Sequence, residues 1–307
     1  MLKDFKELPR VSDSISYLYI EFARIEQDNF SIKAVRENGE IPIPITAFCV
    51  LFLGPGTSIT HQAIKICAEV GVLIVWVGQN LNYFYASGFG ETRSSRNLLK
   101  QVKYFSDENL HLEVVRKMYG LRFNNMDMRD KTIAQMRGME GTRVKTIYTT
   151  YSKSFGVSWH GRDYKKGDYT KSDMVNQALT YTNNLLYGVC KSVIISLGYN
   201  ASLGFIHTGN ILSFVYDLAD LYKMEMTVPA SFKTVSMLNK QGRTDLDYQL
   251  LRKNLYEFFN DRELLKRIPK DLEYLFNGSE IENINEDGAL WDGSTEVVFG
   301  KNYGGIE

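Results

Sequence analysis

The chain has 307 residues, 44% of them hydrophobic and 23% charged, and its 36 basic and 36 acidic side chains cancel to a formal net charge of zero. That composition suits a globular protein of one large domain or two modest ones, and it excludes a surface coated in positive charge. No apolar run approaches the roughly 18 residues of a bilayer span, MLKDFKELPRVSDS lacks the apolar core of a signal peptide, and Cys49, Cys67 and Cys190 lie far apart outside any metal-ligand spacing. The expected location is therefore the reducing cytoplasm, with no membrane.

The first 90 or so residues read as strands. SYLYIEFARI alternates and is rich in aromatic and β-branched side chains, and SIKAVRENGEIPIPI carries Asn38-Gly39, a two-residue hairpin signal. AFCVLFLGPGTSI is a buried-strand run ended by Gly54-Pro55-Gly56. SITHQAIKICAEVG predicts a short helix capped near Ser58 or Thr60 and stopped at Gly71, after which VLIVWVG and YFYASG are strands again. From about residue 92 the period becomes helical. Two helices are expected to meet near Ser106-Asp107, a third covers RDKTIAQMRGMEGTRVKTIYTTYSKSFG, and SDMVNQALTYTNNLLYGVCKSVIISLGY is a long central one. A further helix, TDLDYQLLRKNLYEFFNDRELLKRI, is expected to end at Pro269. The fold class is α+β: a small N-terminal β-rich domain over 1–91, a larger C-terminal all-α-helical domain over 92–277, and an acidic, flexible tail over 278–307.

The neutral total hides an uneven distribution. Residues 93–166 hold 16 basic and 7 acidic side chains, whereas residues 277–307 hold 1 and 7. A basic segment of this kind either neutralises phosphates or is a set of solvated helix faces. Within it, YTTYSKSFGVSWHGRDYKKGDYTK interleaves aromatics with cations. Tyr148, Tyr151 and Phe155 are spaced as a core face. The loop from Trp159 to Lys171, with Arg162, Tyr164, Lys165 and Lys166, is a contact surface for unpaired bases and backbone.

Two stretches carry groups suited to chemistry. GFIHTGNILSFVYDLADLYK, residues 204–223, is apolar yet holds one of only four histidines and two aspartates. On a helix, Ile211, Phe214, Val215, Leu218, Leu221 and Tyr222 share an arc of about 120°, with Asp217 at its edge and Asp220 roughly 60° beyond. Two carboxylates three residues apart repel unless a cation or water lies between them. His207 precedes them across a corner that Gly209 lets turn back. In RGMEG, residues 137–141, two glycines bracket Glu140 inside a good helix, although each costs about 1 kcal/mol there. Together Glu140, His207, Asp217 and Asp220 make three carboxylates and one imidazole, a donor set that suits Mg²⁺ or Mn²⁺. Phosphodiester chemistry on such an ion needs no protein nucleophile, which agrees with the absence of GxSxG, CxxC and P-loop patterns. The plain alternatives are solvated border aspartates, a structural histidine, and glycines that admit a neighbouring helix.

The segments LRFNN…QMRGMEGTRVKTIY, LLYGV, LGYNASLGFIHTGNILSFVYDLADLYK and VGVLIVWVGQNLNYFYASG closely resemble the CRISPR-associated integrase and endonuclease family Cas1, and most of all its I-E subtype. The resemblance spans roughly residues 10–275 and joins a Glu-Gly-x-Arg helix segment to an HTG…SFVYDxAD segment. It implies a homodimer, with two Cas1 dimers bridged by one Cas2 dimer. It implies spacer acquisition, in which double-stranded prespacer DNA with single-stranded 3′ ends is captured and its 3′-hydroxyls are joined into CRISPR repeat DNA by transesterification, together with DNA endonuclease activity. Carried over residue by residue, the Mg²⁺ or Mn²⁺ ligands fall on Glu140, His207 and Asp220, with Asp217 as an accessory catalytic acid. DNA contacts are expected from Arg137 and Lys145, at i−3 and i+5 of Glu140, from Arg162, Tyr164, Lys165 and Lys166, from Tyr187, and from Phe22 as an end-stacking surface. The chain departs from the family where relatives carry a basic residue, at Asn210 and Tyr83. Two other readings share the same residues: a stand-alone nuclease that uses water as nucleophile, and a non-catalytic DNA-binding scaffold.

Overall fold

The computed structural model describes residues 17–48, 50–78, 84–88, 95–163, 172–277, 289–291 and 296–298. The run SYLYIEFARI does not continue as one strand. It breaks into β1 (Leu18–Ile20) and β2 (Arg24–Asp28), which join different sheets. The break lies at Phe22, whose φ of +49° takes the backbone into a region that L-residues rarely occupy. Its N–H donates to the Pro55 carbonyl at 3.0 Å. Gly56, itself at φ +70°, lies beneath the Phe22 ring, where a Cβ would come within 2.5 Å of the ring edge.

The hairpin from β3 (Ser31–Arg36) to β4 (Gly39–Ile43) forms as expected, but its two-residue loop is Glu37-Asn38, and Gly39, at φ +129°, pairs with Arg36 as the first residue of β4. One sheet has the order β4-β3-β2-β6, in which β6 (Ser58–Ile59) runs parallel to β2 and the other pairs are antiparallel. The second has the order β1-β5-β7-β8, formed with β5 (Val50–Leu53), β7 (Leu73–Val77) and β8 (Phe84–Gly88). Its first three strands are parallel and β8 is antiparallel. Helix α1 (His61–Glu69) starts at Thr60, whose hydroxyl accepts from the Ala63 N–H at 3.3 Å, and packs on β2, β3 and β7.

Strand β5 is buried on both faces, as parallel strands usually are. Leu51 and Leu53 enter a small core with Ile20, Ile25, Ile32 and Cys67. Val50 and Phe52 point the other way, into the large helical core. There the Phe52 ring fills the space left by Gly188, where a Cβ would sit 2.2 Å from the ring.

The helical part contains α2 (Arg96–Ser106), α3 (Glu108–Arg122), α4 (Ile133–Phe155), α5 (Met174–Ser196), α6 (Ser213–Ala219), α7 (Thr227–Lys240), α8 (Tyr248–Asp261) and α9 (Leu264–Leu275). The expected boundary near Ser106-Asp107 is a cap: Asp107 accepts from the Asn109 and Leu110 N–H groups at 2.9 and 3.0 Å. Thr132 and Gln135 form a capping box at the start of α4, and Gly156 in the left-handed region ends it. Helix α5 is the hub, in contact with α6, α7, α8, α9 and β5.

Three expectations need correction. The helix expected to end at Pro269 ends earlier, at Asp261, and α9 then runs through Pro269. Burial of Leu264, Leu265, Ile268, Leu272 and Leu275 along one face outweighs the lost hydrogen bond. Ile211, placed on the apolar arc, is 78% exposed, because α6 begins only at Ser213. Within the tail described above as flexible, β9 (Ala289–Trp291) and β10 (Glu296–Val298) pair antiparallel. The rest of 278–307 lies outside the described residues. The order of an N-terminal β-rich part followed by a larger helical part is as expected.

Candidate metal and nucleic-acid site

The loop before α6 and the helix itself bring His207, Asp217 and Asp220 together. Asp217 is fully buried. Its carboxylate accepts the backbone N–H groups of Phe205, Ile206 and His207, the last two at 3.0 and 2.8 Å. It also meets His207 Nδ1 at 2.7 Å. A carboxylate only accepts, so Nδ1 is the donor, and in the neutral ring that tautomer leaves the lone pair on Nε2. Asp217 thus orients the imidazole and is not itself turned to a ligand. His207 Nε2 lies 4.0 Å from Asp220 Oδ2, and its side chain is 43% exposed. The loop is held from behind by Gln101 on α2. Its amide donates to the Asn200 and Leu203 carbonyls at 3.0 Å each and accepts from the Asn200 N–H at 2.7 Å.

Glu140 arrives from α4, across a buried arginine. Arg122, the last residue of α3, places Nη1 4.0 Å from Glu140 Oε1 and Nη2 3.7 Å from Asp220 Oδ2. Arg143 lies 3.5 Å from the same Glu140 oxygen. Lys223 approaches Asp220 Oδ1 at 2.6 Å and stands 4.7 Å over the Tyr187 ring. Burial alone would raise the Asp220 pKa, but Lys223 and Arg122 outweigh it and hold the carboxyl below its usual range. Burial works against the Lys223 charge, yet Asp220 holds the ammonium above its ordinary value. Sequence reasoning missed all three cations. Arg143 and Lys223 were visible as i+3 neighbours of Glu140 and Asp220, whereas nothing local marks Arg122.

Among the described residues no three His, Cys, Asp or Glu side chains close around one point as a ready metal cage. The donor chemistry nevertheless fits a hard divalent cation. Glu140 and Asp220 already share one positive group, and Glu140 Oε2 is buried without a hydrogen-bond partner. Gly138 and Gly141 have open space where a Cβ would stand, so no other part of the described chain packs on them.

The expected DNA contacts fall in several places. Tyr187 packs edge-on to Tyr216, which in turn faces His207, so it borders the site. Arg137 lines a cavity of about 400 Å³ with Tyr119, His111 and Phe205. Lys145 is exposed on α4, about 140° around the helix from Glu140. Arg162 donates to the Asn176 carbonyl and amide oxygens at 3.0 and 2.9 Å and to Thr180 Oγ1 at 3.0 Å, bonds that tie its loop to α5. Phe22 presents a ring that is 69% exposed. Tyr164, Lys165, Lys166 and Tyr83 lie outside the described residues. Tyr148 is core as expected, and Trp159 stacks on it at 4.5 Å instead of presenting a free face.

The model of the family "CRISPR associated protein Cas1" matches residues 17–129 and 123–256. The CRISPR-associated endonuclease Cas1 2 of Thermus thermophilus is 42% identical over 311 residues, covering 99% of this chain and 94% of the relative. The CRISPR-associated endonuclease Cas1 of a Clostridium species is 38% identical over 298 residues, covering 96% and 98%. The crystal structure of a TtCas1–DNA complex superposes with a TM-score of 0.82 at 39% identity, covering 93% of this chain and all of that one. A family model spanning most of the chain and relatives aligned over nearly their whole length lead to one conclusion: the chain belongs to the CRISPR-associated Cas1 family.

Proposed function

We propose that the protein is a metal-dependent DNA integrase of CRISPR adaptation, of subtype I-E, which joins prespacer 3′-hydroxyl ends into repeat DNA by transesterification and also cleaves DNA. It works in the cytoplasm as a homodimer, two such dimers being bridged by a Cas2 dimer. The observation that carries this reading is a chain of contacts among Glu140, His207 and Asp220, drawn from a long helix, a loop and a helix end: Arg122 lies between Glu140 and Asp220, and His207 Nε2 lies 4.0 Å from Asp220. The names of the relatives, endonucleases all, and the DNA-bound Thermus structure support the substrate class.

Glu140, Asp220 and His207 Nε2 would hold Mg²⁺ or Mn²⁺. Such an ion supplies Lewis acidity toward a phosphodiester and lowers the pKa of a hydroxyl beside it. The protein's own part is positional. Asp217 fixes the imidazole tautomer and aim through its short bond to Nδ1. Lys223 holds one Asp220 oxygen and leaves the other turned toward Arg122. The open space over Gly138 and Gly141 admits a DNA backbone alongside Glu140.

A half-site assay with a 3′-OH prespacer, repeat DNA and Cas2 tests the reading. Joined product under Mn²⁺ that disappears in His207→Ala is the expected result. Cleavage without joining would indicate water as the nucleophile. Full joining by His207→Ala would overturn the metal mechanism, whereas DNA binding with neither joining nor cleavage by the wild type would leave only a DNA-binding scaffold.

A further inference from the structure

Counted in their ionised forms, the acidic and basic side chains at the site balance without any ion: Glu140, Asp217 and Asp220 against Arg122, Arg143 and Lys223. The Asp217 carboxylate faces His207, and only its main-chain carbonyl meets Arg122, at 3.5 Å. Arg122 is the one that stands between the two ligand-bearing elements, within 4.0 Å of Glu140 and 3.7 Å of Asp220. Its side chain is only 3% exposed, and its Nε, like Glu140 Oε2, is buried without a partner. A guanidinium keeps its proton in a protein, so this charge cannot be shed. The network is therefore full electrostatically yet incompletely hydrogen-bonded.

From this geometry we infer that Arg122 takes the place of the divalent ion between Glu140 and Asp220, so that ion and DNA phosphate enter the site cooperatively. The inference rests on the metal-dependent reading above. A dication added to a neutral, partly buried network leaves two uncompensated positive charges, a state that low local dielectric makes costly. A phosphodiester at the same place supplies one of the two missing negative charges, and by linkage each ligand then raises the affinity of the other. Arg122 also has somewhere to go. It lines a cavity of about 650 Å³ whose walls include Asn124, Asn125, Glu225 and Asp271, which carry acceptor oxygens; Glu225 already pairs with Arg267 at 2.7 Å and Asp271 accepts from the Tyr222 hydroxyl at 2.7 Å, each leaving further acceptor capacity. Asn124 and Asn125 stand at φ +53° and +62°, two successive left-handed residues at the point where α3 ends behind Arg122. Without DNA the site keeps its ion weakly held, so the free protein is a poor nuclease.

Calorimetric titration of the full chain with Mn²⁺, alone and with a phosphorothioate-blocked duplex, tests this. Glu140→Gln serves as the blank for ions gathered by the DNA itself. The wild type should bind Mn²⁺ about tenfold or more tightly when the duplex is present. Arg122→Gln should bind Mn²⁺ about tenfold more tightly than wild type without DNA, and should lose most of the gain that DNA brings. A loss of fold alone would weaken binding, not tighten it. Equal Mn²⁺ affinity of the wild type with and without duplex overturns the inference, and so does an Arg122→Gln protein that binds no more tightly. If Arg122→Gln fails to fold, the wild-type comparison decides by itself. No Mn²⁺ binding by the wild type in either condition overturns the metal-dependent reading, and the inference with it.

Discussion

Helices α4 and α5 are each 23 residues long, and they are put to opposite uses. Helix α5 buries 15 of its residues, among them Leu179, Leu185, Val189 and Val193, and α6, α7, α8 and α9 lean on it. Helix α4 buries only Met136 and Tyr148 and shows the solvent a row of glycines, threonines and cations. Its one half-buried acid, Glu140, is the group it delivers to the site. Helix α5 holds the fold together, whereas α4, packed chiefly on α7, carries the acid proposed for the chemistry. Substitutions should therefore split cleanly: stability on α5, activity on α4.

The largest expected effect is at Glu140. Glu140→Gln should lower half-site joining by about a thousandfold or more, while the melting temperature moves by only a degree or two, as followed by gel assay and calorimetry. Next is Gly188→Val on α5, which drives a side chain into the Phe52 ring. It should destabilise the protein by about 3 kcal/mol, read as a shift in the urea midpoint. Asp217→Asn crosses the divide, because Asp217 serves both uses. Joining should fall by about ten- to a hundredfold. Stability should fall by about 1–3 kcal/mol, since three backbone N–H groups lose their charged acceptor. Gly138→Ala and Gly141→Ala should each stabilise the protein by about 1 kcal/mol, because the new methyl meets nothing. If DNA passes there, the same changes weaken duplex binding in a filter assay; unchanged binding would place the DNA elsewhere.

The smallest expectation concerns the pH profile. Asp220 is held below its usual range, so its contribution is complete above the ordinary carboxylate value of about 4 and fades as pH falls through the lower folded value. Lys223 is held above its usual range, so its contribution is complete below about 10 and fades as pH rises past that. The stability difference between wild type and Lys223→Met should thus stay flat from about pH 5 to 9 and shrink at both extremes. A slope within that window would mean that the pair is not the group being titrated.

Much of this was legible beforehand. The caps at Thr60 and Asp107 follow from short polar side chains placed before apolar periods, whereas the helix expected from Arg129 starts only after the Thr132 cap. The four site residues were visible because their types are rare at such positions in apolar or helical surroundings. Helix α7 was not legible. Its sequence, TVPASFKTVSMLNK, is poor in strong helix formers and has no polar face, because it is buried nearly all round. Its hydroxyls are satisfied within the core: Ser231 bonds the Thr227 carbonyl at 2.7 Å, and Thr234 bonds that of Ala230 at 2.8 Å. Arg122 escaped for a different reason. It lies 18 residues before Glu140 and 98 before Asp220 in the chain, and only the packing of α3 against both elements reveals its task. Phe22 escaped because β-propensity favours continuing the strand, whereas the bond to Pro55 and the gap over Gly56 select the turn.

Strand β5 has a consequence for how the protein is made. Its two faces belong to two cores, and the second is built mostly by residues that leave the ribosome later. While the helical half is still being synthesised, the finished sheet has Val50, Phe52, Leu73 and Val75 facing water, a sticky patch that is covered only when α5 arrives. Translation speed through residues 90–190, and the chaperones present during that interval, should therefore govern the soluble yield more than the stability of the finished molecule does.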